Sequence, residues 1–205
     1  MSQADLVADL KASLMDSANV FTVANDGDFI RHLGVAAMDM GRFRPRMVRD
    51  SLTLIAGQGD YAVPTDYKAF RSHQWGIEPI KAPQPWESGY PGRLPYCEGM
   101  ELGGVRKICI YPAPTAAQIA VLGSTFLYSY YARHVVDAVA ANTTIQLADR
   151  GLLLLRAQAE AMKEMAVRNS GKPTAMRDGI SNMARNGTPS YLYEMLMKDF
   201  ERLAA

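Results

Sequence analysis

The hydrophobic period of this chain changes twice along its length, and that double change restricts the folds open to it. Near the N-terminus apolar residues recur every three to four positions, after Pro45 they alternate, and from Asp149 onward the wider spacing returns. A chain that reads helix, strand, helix falls in the α+β class; the expected architecture is helices packed around a small antiparallel β-sheet, with a C-terminal helical arm. With 205 residues, 48% of them hydrophobic, the chain can bury a substantial core and is too apolar for general disorder. The expected division is a core over 1–170 and a linker with a helical arm over 171–205.

Ser2 and Asp5 have capping-box spacing, and Leu6, Val7, Leu10 and Leu14 follow on one helical face. A second helix is predicted from about Asp28 to Met40, with Phe29, Ile30, Leu33, Ala37 and Met40 on its stripe and Gly41 as a left-handed C-terminal stop. A third starts near Asp149 and runs for about five turns, its inner stripe Leu152, Leu155, Ala159, Met162 and Ala166, with Arg156, Glu160 and Lys163 elsewhere. Residues 169–187 read as a linker rich in Gly, Asn and Ser. Thr188 as N-cap and Pro189 at the first helical position open a last helix.

Between the helices, Leu52 and Leu54 alternate with Ser51 and Thr53, and Tyr61, Ala62 and Val63 make a short strand closed by Pro64. Five prolines, at 79, 83, 85, 91 and 95, make an irregular loop. Tyr96 to Glu101 and Val105 to Tyr111 read as a hairpin, which would bring Cys97 and Cys109 near one another; whether they ever bond is left open. A long strand is predicted from about Ile119 to Tyr131, covered on both sides because Phe126, Tyr128 and Tyr130 alternate with Leu127, Ser129 and Tyr131.

Chemistry-bearing patterns are scarce. His32, His73 and His134 have no second ligand type at metal spacing, and neither cysteine stands in a C-x-x-C. No phosphate-binding glycine loop or nucleophile elbow occurs. No catalytic residue, metal site or cofactor is therefore predicted, and an enzyme survives only as an alternative whose site would be assembled by folding. Lys and Arg number 22 against 21 Asp and Glu, so bulk attraction would not hold a nucleic acid or a membrane. The acidic, amphipathic start is unlike a secretory leader, and the most apolar run is too short to span a bilayer.

Two surface features stand out. Arg42, Arg44, Arg46 and Arg49 lie close together and offer phosphate or acidic-partner contacts, as in a small nucleic-acid-binding module; local ion pairs in a helix-to-strand connection are the preferred reading. On the last helix Tyr191, Leu192, Met195, Leu196, Phe200 and Leu203 form a stripe that either folds home or docks on another chain, and its tether favours docking.

Leu52 to Phe70 reads LTLIAGQGDYAVPTDYKAF, and Ile110 to Pro114 reads IYPAP. The Ala56-Gly57-Gln58 turn, Tyr61, Val63-Pro64 and Asp66, with the later Pro112 and Pro114, resemble the tailed-bacteriophage adaptor, or head-to-tail connector, proteins. The order of elements agrees from about residue 20 to residue 170. Gly57 and Pro64 would bracket a tight strand pair, and Tyr61 would bury its ring with the hydroxyl at the rim. The resemblance implies a self-assembled ring, usually a dodecamer, in the neck of the virion and assembled in the host cytoplasm. Such a ring stacks between the portal protein and a tail or nozzle protein, and DNA passes through its lumen without sequence-specific binding. It also implies that the C-terminal arm engages the portal. Another virion neck or tail-completion protein is the related alternative.

Overall fold

In the computed structural model, residues 1–76, 84–87, 90–169 and 188–204 are described. The chain divides into two units, Met1–Pro45 with His134–Ala205, and Arg46–Arg133. The fold is α+β. All the long helices lie in the first unit, and both sheets lie in the second.

In the first unit, α1 (Gln3–Leu14) opens on the expected box, with Ser2 accepting from the Asp5 amide and Asp5 accepting from the Ser2 amide. The helix α2 (Gly27–Phe43) runs past Gly41, so the predicted stop is corrected: the Arg44 amide still reaches the Met40 carbonyl at 2.7 Å, and Pro45 ends the run. Phe29, Leu33, Ala37 and Met40 are buried as the stripe predicts. The helix α4 (Arg150–Asn169) has the expected length, but its inner face is wider than the predicted stripe. Ala159 and Met162 are buried as expected, Leu153, Arg156, Ala157 and Ala161 are inside as well, and Leu152 and Leu155 are only partly covered. The reason is that α1, α2 and α5 (Pro189–Ala204) all pack on α4, so a helix covered from several sides does not show a single stripe.

In the second unit, β1 (Arg46–Thr53), β3 (Tyr67–Trp75) and β6 (Thr125–Ala132) form one antiparallel sheet in the order β1-β6-β3. The second sheet is β2-β5-β4, from Asp60–Ala62, Val105–Tyr111 and Tyr96–Leu102. The β4–β5 hairpin is as predicted. Leu102 pairs with Val105 across Gly103 and Gly104, which hold φ of 59° and 79°, the left-handed pair that a two-residue turn requires. Inward residues of both sheets share one core, with Ile108 and Ile110 against Phe126, Tyr128 and Tyr130. A fully buried side chain of this size contributes about 1.5–3 kcal/mol.

Two expectations are overturned here, and a third, the nearness of the two cysteines, holds across the hairpin but not on one face. Residues 119–122 are helical: α3 (Ala116–Leu122) starts on a capping box between Thr115 and Gln118, and Gly123 ends it at φ 83°. The strand β6 is covered on one face only, since Leu127, Ser129 and Tyr131 remain half-exposed while Phe126, Tyr128 and Tyr130 are inside. Cys97 stands opposite Ile110 and Cys109 opposite Glu98. Their side chains therefore leave opposite faces of the hairpin, and both thiols are free. The strand β3 has no predicted counterpart beyond the placing of His73 in a strand or turn. Of the proline-rich loop, 77–83 and 88–89 lie outside the described residues, as does the linker over 170–187; Gln84 to Glu87 is a turn closed at 2.9 Å.

Candidate interaction surfaces

The motif residues Gly57, Tyr61, Pro64, Pro112 and Pro114 come together as one corner of the second unit. Gly57, at φ 79°, donates its amide to the Pro114 carbonyl at 2.9 Å. Only glycine adopts that backbone without strain. The Tyr61 ring is buried, and its hydroxyl accepts from the Ile55 amide at 3.0 Å while donating to the Gln58 carbonyl at 3.1 Å. Gly59 accepts from the Ile110 amide at 2.8 Å, and Pro64 from the Tyr67 amide at 3.0 Å. Pro112 follows a cis peptide bond, and Pro114 is fully buried. These residues build the fold; their polar groups are satisfied within it.

Each of the four arginines has a polar partner within its own unit. Arg42 pairs with Asp39 at 3.4 Å and Arg44 with Asp149 at 3.5 Å. Arg46 meets Asp66 at 2.7 Å, and Arg49 donates to Gln74 at 2.8 Å. Arg44 also donates to the carbonyls of Leu203 and Ala204, each at 3.4 Å. A guanidinium there satisfies the last carbonyls of α5 and opposes its dipole.

Thr188 caps α5, its hydroxyl accepting from the Tyr191 amide at 3.3 Å. The predicted stripe splits into two. Phe200 lies wholly inside the helical core, edge-on to Phe43 at 5.4 Å, and Leu196 packs beside it with Tyr193 and Met197. Leu192, Met195 and Leu203 are 37%, 44% and 55% exposed, and Tyr191 is intermediate. The helix thus has an anchored face and an open apolar edge.

Polar chemistry inside the first unit was missed by the sequence reading. His32 Nε2 donates to Glu164 at 2.7 Å, Arg31 and Arg168 also bond Glu164, and both arginines pair with the buried Asp28. Arg168 further stacks on Phe21. Burial alone would raise the Glu164 carboxyl, but the hydrogen bonds from His32, Arg168 and Arg31 outweigh it and hold the pKa down at about 2. Beside this network, Arg156, buried on α4, meets Asp39 at 2.7 Å and Glu160 at 3.0 Å. The Asp28/Arg31 and Glu164/Arg168 spacings were the available signals.

Burial pushes the Cys97 thiol up to about 12 and raises Cys109 as well, which suppresses the nucleophilic thiolate. His73 stacks on Phe126 at 5.3 Å with its pKa lowered by burial, and His134 Nε2 donates to the Arg44 carbonyl at 2.8 Å. Among the described residues no group of three or more His, Cys, Asp or Glu stands where a metal could be held. Nor is any helix there long and apolar enough to cross a membrane.

The described residues thus form an α+β protein whose polar side chains tie its own elements together and which presents large apolar residues outward. The chain belongs to the SU10 adaptor protein family, whose profile matches residues 1–191. It is thereby a bacteriophage adaptor, a structural component of the virion that works with other head and tail proteins. No curated protein matches it.

Proposed function

We propose that the chain is a subunit of a neck ring that joins the portal protein to the tail and forms part of the channel for the viral DNA. The carrying observation is the family match over nearly the whole chain. Ring formation needs two different, complementary surfaces on each subunit, because only a heterologous contact closes by rotation. The outward apolar residues are suited to such contacts.

The portal-facing element is α5, through the open edge of Leu192, Met195 and Leu203; Phe200 holds the helix to its own core. A net charge of +1 suits a channel in which DNA slides without being gripped, since each neutralised phosphate adds affinity. The ring is assembled in the host cytoplasm before the tail is added, and the number of copies follows the portal, twelve in the usual connector.

Electron microscopy of the purified chain, alone and with the portal protein of the same virus, tests this. Rings, or rings formed only on the portal, are expected. A chain that stays monomeric and ignores the portal overturns the reading.

A further inference from the structure

The two sheets of the second unit turn their inner faces to one shared core, so their outer faces look away from it on opposite sides. These two faces differ in chemistry. On the first sheet, register places Arg49, Ser51, Ser129, Tyr131, Ser72 and Gln74 outward, opposite in sense to the buried Tyr128 and Tyr130. Arg71 joins them, its guanidinium 5.8 Å from the Tyr131 ring centre. The only carboxylate in the three strands, Asp50, is bonded by the inward Tyr128 hydroxyl at 3.1 Å. This face therefore carries two arginines and no acid.

The second sheet differs, its outer face adding acids and large apolar side chains to a single lysine. Along the outer side of its hairpin stand Tyr96, Met100, Leu102, Val105 and Tyr111, exposed by 56%, 44%, 38%, 58% and 67%. A run of large apolar and tyrosine side chains of this kind is unusual on a protein that stays alone. Asp60 and Glu98 lie among them on the same side, flanking Cys109, with Lys107 half-buried beyond. On this side lies a broad hollow of about 540 Å³, lined among others by Asp60, Tyr96, Met100 and Tyr111.

We infer that the hairpin face of one copy seats on the arginine-bearing sheet face of the next copy. This rests on the ring reading above and supplies its two surfaces. Charge complementarity selects the partner: the acidic groups of one face meet a face from which acids are absent, and Arg49 and Arg71 find carboxylates that their own sheet withholds. The tyrosines and Met100 supply the desolvated centre that such contacts need. Two arginines on a flat face are too few to hold a DNA backbone firmly, since affinity grows with each phosphate neutralised. Because the two surfaces lie on opposite sides of one unit, the contact repeats from copy to copy and never pairs two copies face to face.

The test uses two full-length variants, Met100→Arg on the hairpin face and Arg71→Glu on the sheet face. Val105→Arg and Arg49→Glu serve as second choices if either fails to fold by circular dichroism. Sedimentation is followed for each alone, with the portal ring, and in equimolar mixture. Each variant alone should associate roughly 30-fold or more weakly than the unaltered chain, the order expected for a central contact. The mixture should form a dimer and stop there, because each partner retains one intact face. Variants that assemble like the unaltered chain overturn this interface and leave the ring reading standing. An unaltered chain that forms no oligomer, even on the portal, overturns both. Loss of duplex DNA retention in Arg71→Glu with assembly unchanged gives the sheet face to a polyanion and also overturns the proposal.

Discussion

Arg46 and Asp66 stand twenty residues apart and meet at 2.7 Å, while the other oxygen of the same carboxylate accepts from the Tyr130 hydroxyl at 2.9 Å. One side chain thus ties β1 to the central strand and fixes the turn that enters β3, whose Asp66 carbonyl also accepts from the Arg133 amide at 2.7 Å. Burial and this hydrogen bond push the Tyr130 phenol up to about 12, so it stays a donor at any working pH. Asp66→Ala strands two half-buried polar groups. The cost should be about 2 kcal/mol, read as a lower urea midpoint; a change below roughly 0.5 kcal/mol, the level of a bland surface substitution, would show the bond to be idle.

Glu164 makes stability depend on acid. Its folded pKa of about 2 lies below the ordinary carboxyl value of 4.5, so the unfolded chain takes up the proton first. The stabilisation is fully present above about pH 4.5 and drains away as pH falls toward 2. Against its burial, hydrogen bonds from Arg156 and Lys163 lower Glu160 as well, so the readout is the difference between the wild type and Glu164→Gln. Unfolding from pH 7 downward should show the two curves converging in acid; curves that stay parallel would refute the assignment.

On the last helix, Phe200→Ala removes a wholly buried ring and should cost about 3–5 kcal/mol. It should free α5 to fast hydrogen exchange. Leu203→Ala, at an exposed position, should leave stability within about 0.5 kcal/mol and weaken portal binding instead. Equal stability losses in both would deny the split between an anchored face and an open edge.

A β-carbon at Gly99 would collide with the Tyr67 hydroxyl and come within 3.2 Å of the Phe70 Cβ. Overpacking of this kind costs about 1–3 kcal/mol. Gly99→Ala should therefore lower the thermal midpoint, and adding Tyr67→Phe should recover part of the loss by removing the struck oxygen. A double variant no better than the single would place the strain elsewhere.

Helices with caps were legible before any coordinates: Ser2/Asp5 and Thr188 with Pro189 mark real starts, because a cap is a local hydrogen bond between residues three apart. The Gly103-Gly104 turn was legible for the same reason. The strand β3 was not. Its partner pairs slip twice, between Tyr67 and Ala69 and between Phe70 and Ser72, and each bulge breaks the alternation on which a strand is recognised. Ile119 to Leu122 misled because a short apolar run fits a strand or a buried helical turn equally well.

The sequence alone determined the α+β class, the starts of the long helices and the hairpin, all of which depend on neighbours within a few residues. Only the tertiary structure decided that β6 pairs with both β1 and β3, that α4 is covered from several sides, and that the arginines from 42 to 49 are drawn to Asp39, Asp149, Asp66 and Gln74. Those outcomes join residues as many as 141 positions apart, and long-range pairing is set by which surfaces can be buried together rather than by any local pattern.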